Sequence, residues 1–410
     1  MTGWVALVRA QGRRYPPAMQ NPIADRPPVV GFVGAGQLAR MACQAAIPLG
    51  VRVCLLAERP DDAAALVAPD VTIGSPRSAE DLAAFASGCD VLTFDHELVD
   101  ADALRALEAA GVAVRPSAEA VTLAQDKIRQ RAAFAAWGFP VPAHRPVAGL
   151  DDFLRFGDEH GWPVVAKAAR GGYDGRGVWV LADADMARQV VPDVLAGGVA
   201  LLAEAWVPIE AEIAVLVARR PGGECAVYPV VETVQRDGIC HEIVLPAPIP
   251  EALAEEAREL ATAVAGAVGA VGIMALELFV AGGRVLVNEI AVRPHNSGHV
   301  TIEGCVTSQF EQHLRAVLDW PLGSVEPVAP SAATVNVLGG QTPGDPVTRL
   351  PDALRDPGAK VHLYGKSARP GRKLGHVTVL ADTRDETLAR ARAAAALLVG
   401  DGVPAEGVPV

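Results

Sequence analysis

Cysteine is scarce and scattered in this sequence. Six thiols, Cys43, Cys54, Cys89, Cys225, Cys240 and Cys305, are spread over 410 residues without a C-x-x-C pair. That pattern argues against a zinc site or a disulfide framework and fits reduced thiols at a cytoplasmic address, where they serve as small hydrophobes. No apolar run is both long and uninterrupted enough to cross a membrane. The opening "WVALVRA" is too short for a secretory signal and lacks its charged-then-apolar order. An excess of positive charge is missing as well. The formal net charge of -12 argues against a nucleic-acid-binding surface spread over the molecule, so any anionic ligand needs a local basic pocket. There is no internal repeat, and no G-x-x-x-x-G-K-[ST], so a P-loop is excluded as a nucleotide cradle.

What is present points to two or three packed domains, because half of the residues are apolar and the chain is too long for one typical core. Residues 1–28, Pro-rich in their second half, read as a mobile or loosely attached extension. From Val29 to about residue 125 the pattern is strand, glycine turn, helix, strand, repeated as "DLAAFASGCDVLTF" and "DADALRALEAAGVAVRP". This predicts a doubly wound, Rossmann-like parallel sheet. Over 126–325, strands run together around one Ala-rich helix, Pro250 to Gly269, which predicts an α+β domain with a largely antiparallel sheet. Its section from about 140 to 205 includes two strands joined by a glycine-rich loop. After the Pro-rich connector "LGSVEPVAPSA", residues 326–410 read as a small C-terminal unit.

Four stretches carry chemistry. "GAGQLA" (Gly34 to Ala39) matches the dinucleotide fingerprint, with Glu58 where a ribose-binding acid would sit; the same small residues also suit any strand-to-helix turn. In either case the backbone N–H groups of Gln37 and Leu38 open a helix, a place that favours phosphate. "RGGYDGRG" (Arg170 to Gly177) holds four glycines in eight positions and follows Lys167. It reads as a flap whose backbone, Gly172 and Gly175 included, can close over phosphates while Lys167 supplies a point charge; a plain hairpin would need a shorter turn. Glu277 in "IMALELFV" and Glu289 in "VLVNEIAV" lie on two apolar strands joined by a short turn, so they can meet. Carboxylates about 4 Å apart repel by about 4 kcal/mol at an effective dielectric of 20, a conflict that Mg2+ resolves, with Asn288 or water completing its shell. Beyond them Arg293, His295, Asn296, Ser297 and His299 form a donor-rich loop suited to anions; His295 and His299 lack the nearby cysteines of a metal pair. Finally "KSARPGRK" gathers Lys366, Arg369, Arg372 and Lys373 around Pro370 and Gly371, either a solvated turn or a phosphate clamp.

Together "GQLARM", "AKAARGGYDGRG", "LLAEAWV", "MALELF", "NEIAVRPHNSGH", "SQFEQHLRA" and "RPGRKLGH" resemble the ATP-grasp superfamily. Within it they are similar to the N5-carboxyaminoimidazole ribonucleotide synthase family, also described as the ATPase subunit of phosphoribosylaminoimidazole carboxylase. The resemblance implies an ATP-grasp fold: a Rossmann-like preATP-grasp sheet, a two-sheet nucleotide-binding region with a flap, and the C-terminal unit packed on it. It implies a cytoplasmic homodimeric carbon–nitrogen ligase of purine biosynthesis, with no nucleic-acid or membrane partner. ATP and bicarbonate would give carboxyphosphate, which carboxylates 5-aminoimidazole ribonucleotide.

Carried over by position, ATP is expected at Lys127, Lys167, Gly172, Gly175, Glu204, Val207, Glu212 and Asn288, with one or two Mg2+ ions, replaceable by Mn2+, at Glu277 and Glu289. Tyr173, Asp174 and Arg176 would contact the aminoimidazole, with Asp174 taking the amine proton and Arg293 and Lys167 as further catalytic groups. His295, Asn296 and Ser297 would line the anion and ribonucleotide pocket, and Gln37, Leu38, Lys366, Arg372 and Lys373 would receive the 5′-phosphate. Asp95, in "TFDHEL", stands where the family usually carries Glu near the substrate and loses one methylene of reach. Two rivals remain. A formate-dependent glycinamide ribonucleotide transformylase typically reads R-P-H-D-T-G where this chain reads "RPHNSGH". An NAD(P)-dependent dehydrogenase rests on the glycine fingerprint alone.

Overall fold

The computed structural model describes residues 26–172, 175–340 and 344–399. Most of the N-terminal extension, together with Tyr173 and Asp174, lies outside the described residues.

The first unit follows the alternation read from its sequence. Strands β1 (Val29–Val33), β2 (Arg52–Ala57), β3 (Asp70–Ile73) and β4 (Val91–Phe94) form a parallel sheet in the order β3-β2-β1-β4, with helix α1 (Gln37–Ala46) between the first two strands. β1 and β4 are buried along their whole length, as expected of strands covered on both faces. Helices α2 (Ala79–Ala86) and α3 (Ala101–Ala109) begin at Ser78 and Asp100, whose side chains accept the free N–H groups of the first turn. Helix α4 (Ala118–Gln125) leads directly into α5 (Lys127–Ala136). Asp126 ends one and caps the other, accepting from Ile128 N and Arg129 N at 3.1 Å each.

A second, four-stranded sheet has the order β5-β8-β6-β7, all antiparallel: β5 (His144–Val147), β6 (Val164–Ala168), β7 (Val178–Leu181) and β8 (Leu201–Ala205). Helices α6 (Leu150–His160) and α7 (Ala184–Ala196) cover one face and enclose a small core that includes Phe153, Phe156, Val164 and Leu181.

The remaining strands form one nine-stranded sheet, β14-β13-β9-β11-β12-β15-β17-β16 with β10 beside β9. Its members are β9 (Ala211–Arg219), β10 (Cys225–Val227), β11 (Val231–Arg236), β12 (Ile239–Leu245), β13 (Gly272–Ala281), β14 (Arg284–Ala291), β15 (Ser331–Leu338), β16 (Lys360–Leu363) and β17 (Lys373–Ala381). Helix α8 (Glu251–Val268), stopped by left-handed Gly269, packs on β9, β13 and β14. Helix α9 (Gln309–Val317) lies on β13 and β9 and meets α1 through a core shared by Leu38, Met41, Phe310 and Leu314. The C-terminal strands therefore extend the large sheet through the β12–β15 pairing, with helix α10 (Arg384–Val399) packed over them. An alternating apolar pattern reports that a strand has a buried face; it does not report which edge the strand joins.

Candidate functional site

The site lies where the two antiparallel sheets approach each other. Glu277 and Glu289 are directly opposed in the β13–β14 ladder, and the register shifts at that point: Leu278 pairs with Val287, Glu277 with Glu289, and Asn288 is left over. Asn288 is thus the extra residue of a β-bulge, a device that re-aims side chains beside active sites. In a regular strand Asn288 and Glu289 would face opposite sides of the sheet. Here Asn288 Oδ1 accepts from Lys167 Nζ at 3.0 Å while Glu289 pairs with Lys127.

These charges polarise each other. Burial pushes the Glu277 carboxyl up, and the facing Glu289 and Glu212 add to it, to about 8. Burial acts on Glu289 in the same sense, but the ion pair with Lys127 and the charge of Lys167 outweigh it and hold Glu289 at about 2. Glu212 is raised by burial, against the pull of Lys167. One acid is thus ionised and the other protonated at neutral pH, because the two opposed carboxylates repel and the nearby lysines favour charge on Glu289. Among the described residues no group of three His, Cys, Asp or Glu side chains could hold a metal alone. A pair of carboxylates does fit Mg2+, whose usual shell combines one or two such groups with water and substrate phosphates. The Lys127 ammonium adds positive charge beside Glu289.

Behind the acids stands a buried ionic group. Glu204, on β8, faces Lys167 at 2.7 Å and Arg131 Nε at 2.5 Å, and the side chains of Arg131 and Glu204 are each 3% exposed. Burial disfavours the charged Glu204, yet the two cations lower its pKa. Lys127 N donates to Ala169 O at 2.8 Å, which ties the start of α5 to the end of β6 and hence to the flap. Gly171, Gly175 and Gly177 of the flap have positive φ, and a Cβ on Gly172 would press on Arg176 O, so this loop needs its glycines. Val207 is half-buried just beyond β8.

The loop after β14 is tightly held. Arg293 Nε lies 2.8 Å from Glu97, which keeps the buried guanidinium charged although burial opposes it. His295 Nε2 stands 3.2 Å from Glu277 Oε1, and its Nδ1 accepts from Ser297 N at 3.3 Å and contacts Ser297 Oγ at 2.9 Å. Burial, then Arg293 and Lys373, push His295 down to about 3, so the ring is neutral. Ser297 is buried and props His295 from behind. Asn296 exchanges amide hydrogen bonds with Asn336 on β15 at 3.0 and 2.9 Å. Gln309 accepts from His295 N at 2.9 Å and donates to His295 O at 2.8 Å and His299 Nδ1 at 3.1 Å. His299 stacks on His376, which stacks on His362.

The glycine turn departs from the dinucleotide reading. Asp95 Oδ2 accepts from Gly36 N at 2.9 Å and Oδ1 from Ala39 N at 2.7 Å, so a carboxylate already sits on the helix end where a pyrophosphate would bind. Leu38 is buried in the core, whereas Gln37 reaches Lys366 across the cleft. Arg372 is anchored on Ser367 O at 3.0 Å and Oγ at 2.8 Å; burial and the nearby cations Arg369 and Arg59 lower its pKa, the mark of a crowded cationic patch. Lys373 opens β17 and acts on both Glu277 and His295 through its charge. A cavity of about 290 Å³ lies beside this patch, lined in part by Arg40, Lys366, Ser367 and Leu374.

Sequence reasoning had not singled out Arg131, Glu97, Gln309 or Asn336. Arg131 was within reach of the helical period, being four residues after Lys127 and on the same face of α5. Glu97, Gln309 and Asn336 acquire partners only through contacts made in the fold.

Three family descriptions match successive parts of the chain: the ribonucleotide synthetase preATP-grasp domain over 28–125, the ATP-grasp domain over 132–310, and the phosphoribosylaminoimidazole carboxylase C-terminal domain over 332–390. The chain is 48% identical to N5-carboxyaminoimidazole ribonucleotide synthase of Mycobacterium tuberculosis across 92% of its own length and 89% of that protein. The crystal structure of the Thermus thermophilus synthetase is similar with a TM-score of 0.81 at 37% identity, covering 92% of this chain and 100% of that one. The Aspergillus clavatus synthase, solved with ADP and 5-aminoimidazole ribonucleotide, is similar with a TM-score of 0.83 at 33% identity, covering 91% and 99%.

Proposed function

The chain belongs to the N5-carboxyaminoimidazole ribonucleotide synthase family, and from that premise we propose that it couples ATP hydrolysis to carboxylation of 5-aminoimidazole ribonucleotide by bicarbonate, via carboxyphosphate, in cytoplasmic purine biosynthesis. The observation that carries this reading at the level of residues is the opposed pair Glu277 and Glu289, with Lys127, Lys167 and Asn288 converging on it. ATP lies between the two antiparallel sheets, contacting the glycines of the flap, Glu204, Val207 and Glu212. Glu277 and Glu289 would hold Mg2+, or Mn2+ in its place, and the ion would supply charge neutralisation for the phosphates. Lys127 and Lys167 add fixed positive charge in a partly buried cleft, where it costs no reorganisation during the reaction.

Arg293, held by Glu97, together with neutral His295 presents donors to bicarbonate and to the ribonucleotide. Gln37, Lys366, Arg372 and Lys373 receive the 5′-phosphate, and Asn296 and Ser297 support this pocket through their partners. Asp95 acts here by shaping the turn that carries Gln37. Tyr173, Asp174 and Arg176, on the flap, contact the aminoimidazole, with Asp174 taking the amine proton. Closure of the flap keeps water from carboxyphosphate. The active species is a homodimer. The test is phosphate release from ATP and bicarbonate with and without aminoimidazole ribonucleotide, together with N5-carboxyaminoimidazole ribonucleotide formation. Stimulation of both by the ribonucleotide is expected; NAD-dependent oxidation without any response to ATP would overturn the reading.

A further inference from the structure

Arg131 does more than balance a buried charge. Its Nε reaches Glu204, its Nη1 donates to Val287 O at 2.9 Å and its Nη2 to Asn288 O at 2.8 Å. Successive carbonyls of a regular strand point to opposite sides, so one side chain cannot donate to both. Asn288 is the bulge residue, however, and the bulge turns its carbonyl to the side of its neighbour's. β14 is the outer strand of the large sheet, so among the described residues no further strand competes for these acceptors. The other oxygen of Glu204 holds Lys167, and Lys167 reaches back to the Asn288 side chain. The contacts close into a ring, Arg131 to Glu204 to Lys167 to Asn288 and back to Arg131, whose members come from α5, β8, β6 and β14.

We propose that Arg131 is a positioning residue for the nucleotide: by pinning the Asn288 bulge to Glu204 it sets the spacing between the small sheet that carries Lys167 and the large sheet that carries Glu289. This rests on the functional reading above and adds to it a residue that touches neither substrate nor metal. The planar guanidinium is required because three acceptors must be met at fixed angles at once; an ammonium on a flexible stem can keep the charge but not that geometry.

The test compares the full-length wild type with R131K and R131M. Steady-state kinetics are run with ATP and with aminoimidazole ribonucleotide, and thermal stability is measured with and without Mg-ADP. R131K is expected to fold and to raise the KM for ATP by about tenfold or more, the size of effect expected on losing charge-assisted hydrogen bonds. The KM for the ribonucleotide should stay within about twofold, and the stabilisation by Mg-ADP should shrink. R131M should show the same split more strongly; if it fails to fold, R131K carries the test. Equal rises in both KM values, or an R131K protein with wild-type ATP affinity and wild-type Mg-ADP stabilisation, would overturn the proposal. A wild type stabilised by Mg-ADP but unable to carboxylate the ribonucleotide would remove the assigned activity, and the Mg-ADP comparison would still decide the role of Arg131.

Discussion

Replacing Glu277 by Gln should abolish a pH-dependent weakness of the ligand-free protein while leaving its fold in place. Glu277 and Glu289 are directly opposed across two antiparallel strands, a relation that sets their Cβ atoms about 5 Å apart. Two charges at that separation repel by about 3 kcal/mol at an effective dielectric of 20. Lys127 keeps Glu289 ionised, so Glu277 takes the proton and titrates at about 8, burial being the first cause and Glu289 the second. In the unfolded chain a glutamate titrates near 4.3, so over the interval between these values the folded state binds the proton more tightly. Stability is therefore highest below the unfolded value and falls as pH rises through about 8. His295, held down at about 3, acts in the opposite sense, but only below the ordinary imidazole value of about 6.5. Glu212, raised by burial, acts in the same sense as Glu277, so comparison with E277Q isolates the part of the slope that belongs to Glu277. From about pH 7 to about pH 8.5 it amounts to about 1 kcal/mol, or roughly 1 to 2 °C in Tm for a chain of 410 residues. Differential scanning fluorimetry of wild type and E277Q across this interval measures it. The wild type should lose that increment relative to the variant, and Mg-ADP should suppress the loss by holding both carboxylates charged. A variant with the wild-type slope would refute the reasoning.

Glu289→Gln should leave the protein folded but abolish ATP turnover, because it removes a metal carboxylate and releases Lys127 from its partner; phosphate release at the wild-type rate would contradict this. Arg372→Ala should raise the KM for the ribonucleotide far more than that for ATP, and equal changes would argue against a phosphate clamp around Ser367. A Cβ at position 36 would collide with Asp95 Oδ2, so Gly36→Ala should cost about 1 to 2 kcal/mol through loss of the helix cap, read by urea denaturation; an unchanged midpoint would mean that the cap carries no weight. Tyr364→Phe deletes a buried hydroxyl 2.7 Å from His376 Nδ1 and should cost about 1 to 2 kcal/mol in the same assay, with no change in the KM for ATP.

The parallel sheet, the flap strands and the opposed acids were legible because each follows from local signals: strand–helix alternation, glycine clustering, and charge on an apolar strand. Glu277 and Glu289 could be paired from the short turn between their strands alone. The bulge at Asn288 was not legible, since a one-residue slip leaves no mark on the apolar pattern, yet it is what brings Asn288 and Glu289 to the same site. Arg131 resembled any arginine on a helix until β8 and β14 closed over it. The cap that Asp95 places on α1 was not legible either, being a bond between residues 56 apart in sequence. The polar residues behind the anion loop, Gln309 and Asn336, come from a helix and a strand that only the tertiary fold brings there.

The unbroken ladder from β14 to β16 bears on how this polypeptide could be divided. β15 is flanked by β12 on one side and β17 on the other, so a truncation in the Pro-rich connector near residue 326 would cut through a single hydrogen-bonded body. The larger fragment would expose the backbone of β12 as a bare edge, open to pairing with other chains, and the smaller would be left with β15, β16 and β17 under α10 and a short helix at Leu350–Ala353. Split-protein reporters or fusion boundaries are better sited in the surface turn of Gly222 and Gly223, where the chain reverses between β9 and β10 and the ladder stays whole.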